Sequence, residues 1–176
     1  RGLPVTCDTA PPYFALNELE VTNYRTFAKL SPPLRGEADR LAVIAALRDG
    51  TIDAIASDHA PQDEDAKRQT FAAAEFGGIG LETLLAATLS LVHGGALDLL
   101  PALALLTCRP AEVLRLPAGR LKVGAAADLL LFDPDRGWVV EPARFKSKSK
   151  NSPFDGRPLQ GVVLRTVVDG RTVYRA

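Results

Sequence analysis

Gly50-Thr-Ile-Asp-Ala-Ile-Ala-Ser-Asp58-His59-Ala-Pro-Gln62 is the stretch that decides how the rest of the chain is read. Ile52, Ala54, Ile55 and Ala56 make a short, mostly apolar run with one acid inside it, after Gly50 and before Pro61, as a strand buried on both faces of an α/β fold reads. Asp58 and His59 then fall at its carboxyl end, the edge where parallel α/β folds gather reacting groups. An aspartate there can bind a metal, take a proton from a metal-bound water, or do both. Taken alone, an Asp-His pair more often merely caps the turn that follows.

Working outward, Glu37 to Leu47 reads as an amphipathic helix with Leu41, Ile44 and Leu47 on one stripe, and Gly50 suits a left-handed cap beyond it. Leu3 to Asp8 reads as a buried strand, with Thr9 to Tyr13 as the loop at its end, because two prolines forbid a helix through them. Asn17 to Tyr24 has room for a helical turn or two. Thr26 to Arg35 is expected to run extended around Pro32 and Pro33. Beyond the central strand, Gln62 to Gln69 reads as a solvated charged loop, and Phe76-Gly-Gly-Ile-Gly80 as a place for a tight turn or a ligand. Leu81 to His93 is expected to be a buried helix, with His93 a surface cap in its last turn, followed by a helical pair over 99–107 and 110–116.

From Pro117 the text turns strand-like: 121–123, 127–132, 138–140, and two runs flanking Asp169-Gly170, the strongest hairpin signal in the chain. Residues 1–116 therefore read as alternating α/β units of a barrel, and 117–176 as a small, β-sandwich-like all-β domain, with 146–150 a flexible basic loop. A complete (β/α)8 barrel takes ~250 residues, so these 176 have room for two or three units only. The absence of methionine points the same way, toward the C-terminal portion of a longer barrel protein.

Composition narrows the function classes. Twenty-one basic and 21 acidic residues cancel, which gives no footprint for nucleic acid or an anionic membrane. No apolar run approaches the ~18 residues of a membrane span, and a cytoplasmic protein is expected. Cys7 and Cys108 lack any paired spacing and read as two buried thiols.

Together, Leu30-Ser-Pro-Pro-Leu-Arg35, Asp49 to Pro61, Phe76 to Glu82, Gly124 to Leu130 and Ser147-Lys-Ser-Lys-Asn-Ser-Pro-Phe154 resemble the dihydroorotases of the amidohydrolase superfamily. The resemblance implies a distorted barrel, a zinc centre, and reversible cyclisation of N-carbamoyl-L-aspartate to dihydroorotate in pyrimidine synthesis. It places Asp58 as the metal-binding and proton-exchanging carboxylate, and it implies substrate contacts at Ser31, His59, Gln62 and Gly78.

The departures from the family pattern are specific. Where a zinc-ligating histidine is expected after the earlier strand, the chain reads Pro12-Tyr13. Proline has no donor, and a phenol with a pKa near 10 is a rare zinc ligand. Gln62 stands where the family carries a histidine for a substrate carboxylate, and Ser31 where it often carries asparagine. Two readings follow: a divergent dihydroorotase with a reduced, mononuclear site, or a non-catalytic homologue that serves as a structural partner of aspartate transcarbamoylase. In either, the C-terminal part of the barrel is expected to be inactive alone and to be covered by the N-terminal half or by a second copy.

Overall fold

The computed structural model describes residues 3–176. Strands β1 (Asp8–Thr9) and β2 (Ala54–Ile55) run parallel, pairing Asp8 with Ala54 and Thr9 with Ile55, and His59 adds a parallel bridge to Gly78. Three successive chain segments thus lie side by side in one direction, with helix α2 (Glu37–Asp49) crossing between the first two. Parallel neighbours require such a crossover, because a tight turn would reverse the chain. Gly50 closes α2 at φ 82°, the left-handed cap its position suggests.

Several local expectations are corrected. β1 is two residues long, not a strand over 3–8, and Leu3 and Val5 are exposed. Pro11 and Pro12 begin a helix instead of excluding one: α1 (Pro11–Ala15) holds both in its first turn, where backbone N–H groups have no intrahelical partner to lose. The turns over Glu18–Val21 and Thr26–Ala28 are 3₁₀. In α2 the buried stripe is Val43, Ile44 and Leu47, while Leu41 stands in solvent. The charged stretch after Gln62 forms a helical turn, α3 (Glu64–Lys67), and Lys67 is buried. Cys7 is exposed and Cys108 half-buried, both free.

Helix α4 (Leu84–His93) starts three residues later than its apolar pattern suggests, leaving Leu81 exposed, and α5 (Leu99–Ala104) and α6 (Cys108–Val113) follow. The last third is a three-stranded antiparallel sheet: β3 (Leu129–Val139), β4 (Pro158–Val168) and β5 (Arg171–Arg175), in that order. The two runs expected over 127–132 and 138–140 are one strand, broken by register shifts near Asp133. Asp169 (φ 47°) and Gly170 (φ 74°) make the hairpin turn with both central residues left-handed, as its sequence foretells. No described helix is long and apolar enough to cross a membrane.

Two apolar cores hold these parts together. Phe14, Leu47, Ile55, Leu91, Leu97, Ala102 and Leu105 fill the space between α1, α2, β2, α4 and α5. Leu16, Leu30, Leu34, Ala87, Val140 and Phe154 form the second, which ties the Pro-Pro loop to the approach to β4. Phe154 and Val140 are 1% and 0% exposed, so the serine-lysine segment leads into a buried wedge rather than a free linker.

Candidate active site

Asp58 sits just past β2 with φ 46°, a left-handed conformation that a non-glycine residue adopts at some cost. Strain of that kind, held at the end of a parallel strand, is a mark of a functional position. It aims the carboxylate into a cavity of about 410 Å3 shared with Asp8, Tyr13, Ser31, Arg35, Asp39 and Arg40. The Tyr13 hydroxyl lies 3.3 Å from Asp58 Oδ2 and 3.1 Å from the Pro32 carbonyl. Its single proton can serve one of these acceptors at a time. Burial first, and the neighbouring Asp58 carboxylate second, push the phenol above its ordinary pKa, so Tyr13 is a neutral donor at physiological pH. No hydrogen bond from the described residues reaches Asp58 Oδ1.

Of the five site residues singled out in the sequence, the structure brings together two, Asp58 and Ser31. His59 turns the other way. Its Nδ1 accepts from the backbone N–H groups of Gly80 (3.2 Å) and Leu81 (3.4 Å), and its ring lines a separate groove beside Glu82 and Trp138. Gln62 spends its side-chain amide on the Phe76 carbonyl at 2.9 Å, while its backbone N–H donates to Asn151 Oδ1 at 3.3 Å. Gly78 lies behind the mouth, where a Cβ would stand 2.9 Å from Pro153. Gly80 is demanded more strictly still, since a Cβ there would come within 2.0 Å of the Ser57 carbonyl oxygen.

Behind the mouth lies a knot that the sequence conceals. Lys67, 1% exposed, donates to the carbonyls of Glu75 (2.8 Å), Gly77 (3.0 Å) and Lys29 (3.4 Å). Lys29 donates to Ala72 (2.9 Å) and Ala74 (2.6 Å), and the centre of the Phe76 ring lies 4.5 Å from its ammonium. Asn151, 2% exposed, closes the knot by donating to Ala60 (3.3 Å) and Gly77 (3.1 Å). Burial, and then the charge of Lys29, bring the Lys67 pKa down from 10.5 to about 8. A charge run in an expected loop carries no signal of such burial; only the Ser-Lys-Ser-Lys-Asn-Ser-Pro-Phe segment hinted at Asn151.

The donor set does not by itself fit a zinc centre. Asp58 offers one carboxylate, Pro12 offers nothing, Tyr13 keeps its proton, and no three His, Cys, Asp or Glu side chains gather for a metal among the described residues. His93 is 3.6 Å from Asp135, at the far end of α4.

Comparison with known proteins agrees with the fold. The model of the amidohydrolase family matches residues 18–173. The chain is 51% identical, over its full 176 residues, to the dihydroorotase of Anaplasma phagocytophilum, of which it covers 39%. It is 51% identical, again over its whole length, to the dihydroorotase of Citrifermentans bemidjiense, of which it covers 42%. Among solved structures, L-hydantoinase (dihydropyrimidinase) from Arthrobacter aurescens superposes with a TM-score of 0.91 at 32% identity, over 99% of this chain and 40% of that one. The chain thus spans about two fifths of the length of the relatives it matches.

Proposed function

The chain belongs to the amidohydrolase family, and from that membership we propose that it forms the Asp58-bearing part of a dihydroorotase that interconverts N-carbamoyl-L-aspartate and dihydroorotate. The observation that carries the reading is the strained Asp58 at the end of β2, with its carboxylate in the cavity and Oδ1 clear of the described donors. Opening dihydroorotate requires water to add to the ring amide carbonyl, and the water's proton to reach the departing ring nitrogen. Asp58 Oδ1 is the group to accept that proton and return it, and Tyr13 holds the carboxylate through Oδ2 while it does so. A family zinc ion would polarise the carbonyl when bound; Asp58 is the residue that would hold it here, and the remaining ligands would come from the rest of the polypeptide.

A second reading is favoured by the imidazole-free cavity. Pro12 and Gln62 suit a non-catalytic homologue whose barrel supports a partner such as aspartate transcarbamoylase. Turnover of dihydroorotate by the complete polypeptide separates the two. Asp58→Asn is expected to lower the rate by roughly 10^3-fold, as loss of a general acid-base group does. A parent protein with no turnover, pure and folded, overturns the first reading and leaves the second.

A further inference from the structure

Resting on the dihydroorotase reading, we propose that His59 is the positioning residue of Asp58: its ring Nδ1, by clasping the backbone of Gly80 and Leu81, keeps the neighbouring carboxylate aimed without touching the substrate. Asp58 needs such a hold. At φ 46° a residue with a Cβ relaxes toward the right-handed or extended regions unless the chain on both sides is fixed. A shift of about 1 Å in a reacting group is enough to cost roughly 100-fold in rate.

Both neighbours of Asp58 rest on one segment, Gly78 to Leu81. On the amino side the Ser57 carbonyl packs directly against Gly80, where there is no room for a Cβ. On the carboxyl side His59 pairs in parallel with Gly78, and the Ala60 N–H donates to the Gly78 carbonyl at 2.9 Å. That pairing leaves the Gly80 end open, and the ring closes it. Nδ1 accepts from Gly80 at 3.2 Å and from Leu81 at 3.4 Å, and neither amide has another acceptor among the described residues. Gly80 is buried, so water does not replace a lost partner there. A ring nitrogen that accepts two N–H groups carries no proton itself, which assigns the ring proton to Nε2. The ring lines the groove beside Glu82 and Trp138, not the cavity that holds Asp58. His59 therefore reaches the chemistry through the backbone on either side of its neighbour.

The test uses the complete polypeptide, read by steady-state turnover of dihydroorotate and by amide hydrogen exchange over residues 76–84. Asparagine places its Oδ1 where Nδ1 stands, glutamine places its amide where Nε2 stands, and leucine supplies neither. His59→Gln and His59→Leu are expected to lose roughly 30- to 100-fold in kcat with KM within about 2-fold of the parent, and His59→Asn to recover most of that loss. Exchange over 76–84 should quicken in His59→Gln and His59→Leu and stay near the parent in His59→Asn. Rescue by glutamine and not by asparagine overturns the assignment, because the group that matters would then be Nε2 in the groove. Equal loss in His59→Asn and His59→Gln, or no loss in any variant, overturns it as well. If His59→Leu fails to fold, the asparagine and glutamine variants decide between them. A folded parent without turnover sinks the functional reading and the positioning role with it, and that failure is told apart because the exchange contrast needs no turnover and persists.

Discussion

The two sides of the segment 58–80 are built on opposite principles. On the mouth side, Asp58 is exposed and strained, and its side-chain partner among the described residues is Tyr13. On the far side, Lys67, Lys29 and Asn151 are each 9% exposed or less, and their polar atoms are matched to backbone groups. No buried side-chain nitrogen or oxygen among the described residues lacks a partner. The far side is a frame, in which removing any one group strands others in a low-dielectric interior. The mouth is held in place by that frame and contributes little to it. Reactivity and stability are therefore assigned to different residues only a few positions apart.

Substitutions can break or sharpen this contrast. The largest effect is expected at the frame's centre: Lys67→Met leaves the Glu75 carbonyl without a donor and takes one of two donors from each of the Gly77 and Lys29 carbonyls, and should cost roughly 3 kcal/mol in urea unfolding of the complete polypeptide. A loss under about 1 kcal/mol would mean that water replaces the ammonium and that the frame is not one. The same lysine gives a pH signature. Its pKa is about 8 folded against an ordinary 10.5, so between those values the unfolded chain holds a proton the folded one has released. Stability should therefore rise as pH climbs from about 8 toward 10.5, and Lys67→Met should flatten that rise. Above about 10 Tyr13 acts in the opposite sense, because its raised pKa keeps the folded phenol protonated while the unfolded one ionises.

Asn151→Ala comes next, at about 2 kcal/mol, for it frees the Ala60 carbonyl and the Gln62 N–H and leaves the Gly77 carbonyl with Lys67 alone. Tyr13→Phe should cost about 1 kcal/mol, one hydrogen bond at the rim, read as a small shift in urea midpoint. If Tyr13→Phe proved as damaging as Lys67→Met, mouth and frame would be one unit.

What could be read from the sequence is what is local. The barrel class, the Gly50 cap and the Asp169-Gly170 turn rest on spacing and on backbone freedom, and these survive folding unchanged. Asp58 at a strand end was legible for the same reason, and the family match bears out the dihydroorotase resemblance. Side-chain direction was not legible. His59 and Gln62 follow Asp58 within four residues, yet both turn toward the glycine segment and its neighbours, because backbone N–H and C=O groups there needed partners. Lys67 is hidden for a related reason: a lysine in a charged run looks solvated until tertiary packing brings three carbonyls to it. Two adjacent prolines forbid a helix only in its interior, and here the helix begins on them.

The central claim, that Asp58 is placed for chemistry and not for stability, is tested most directly by the unfolding free energy of Asp58→Asn against the parent. Asparagine keeps the shape and tolerates the left-handed backbone, so a change within about 0.5 kcal/mol is expected. A loss above about 2 kcal/mol would contradict the claim, because the carboxylate would then belong to the frame.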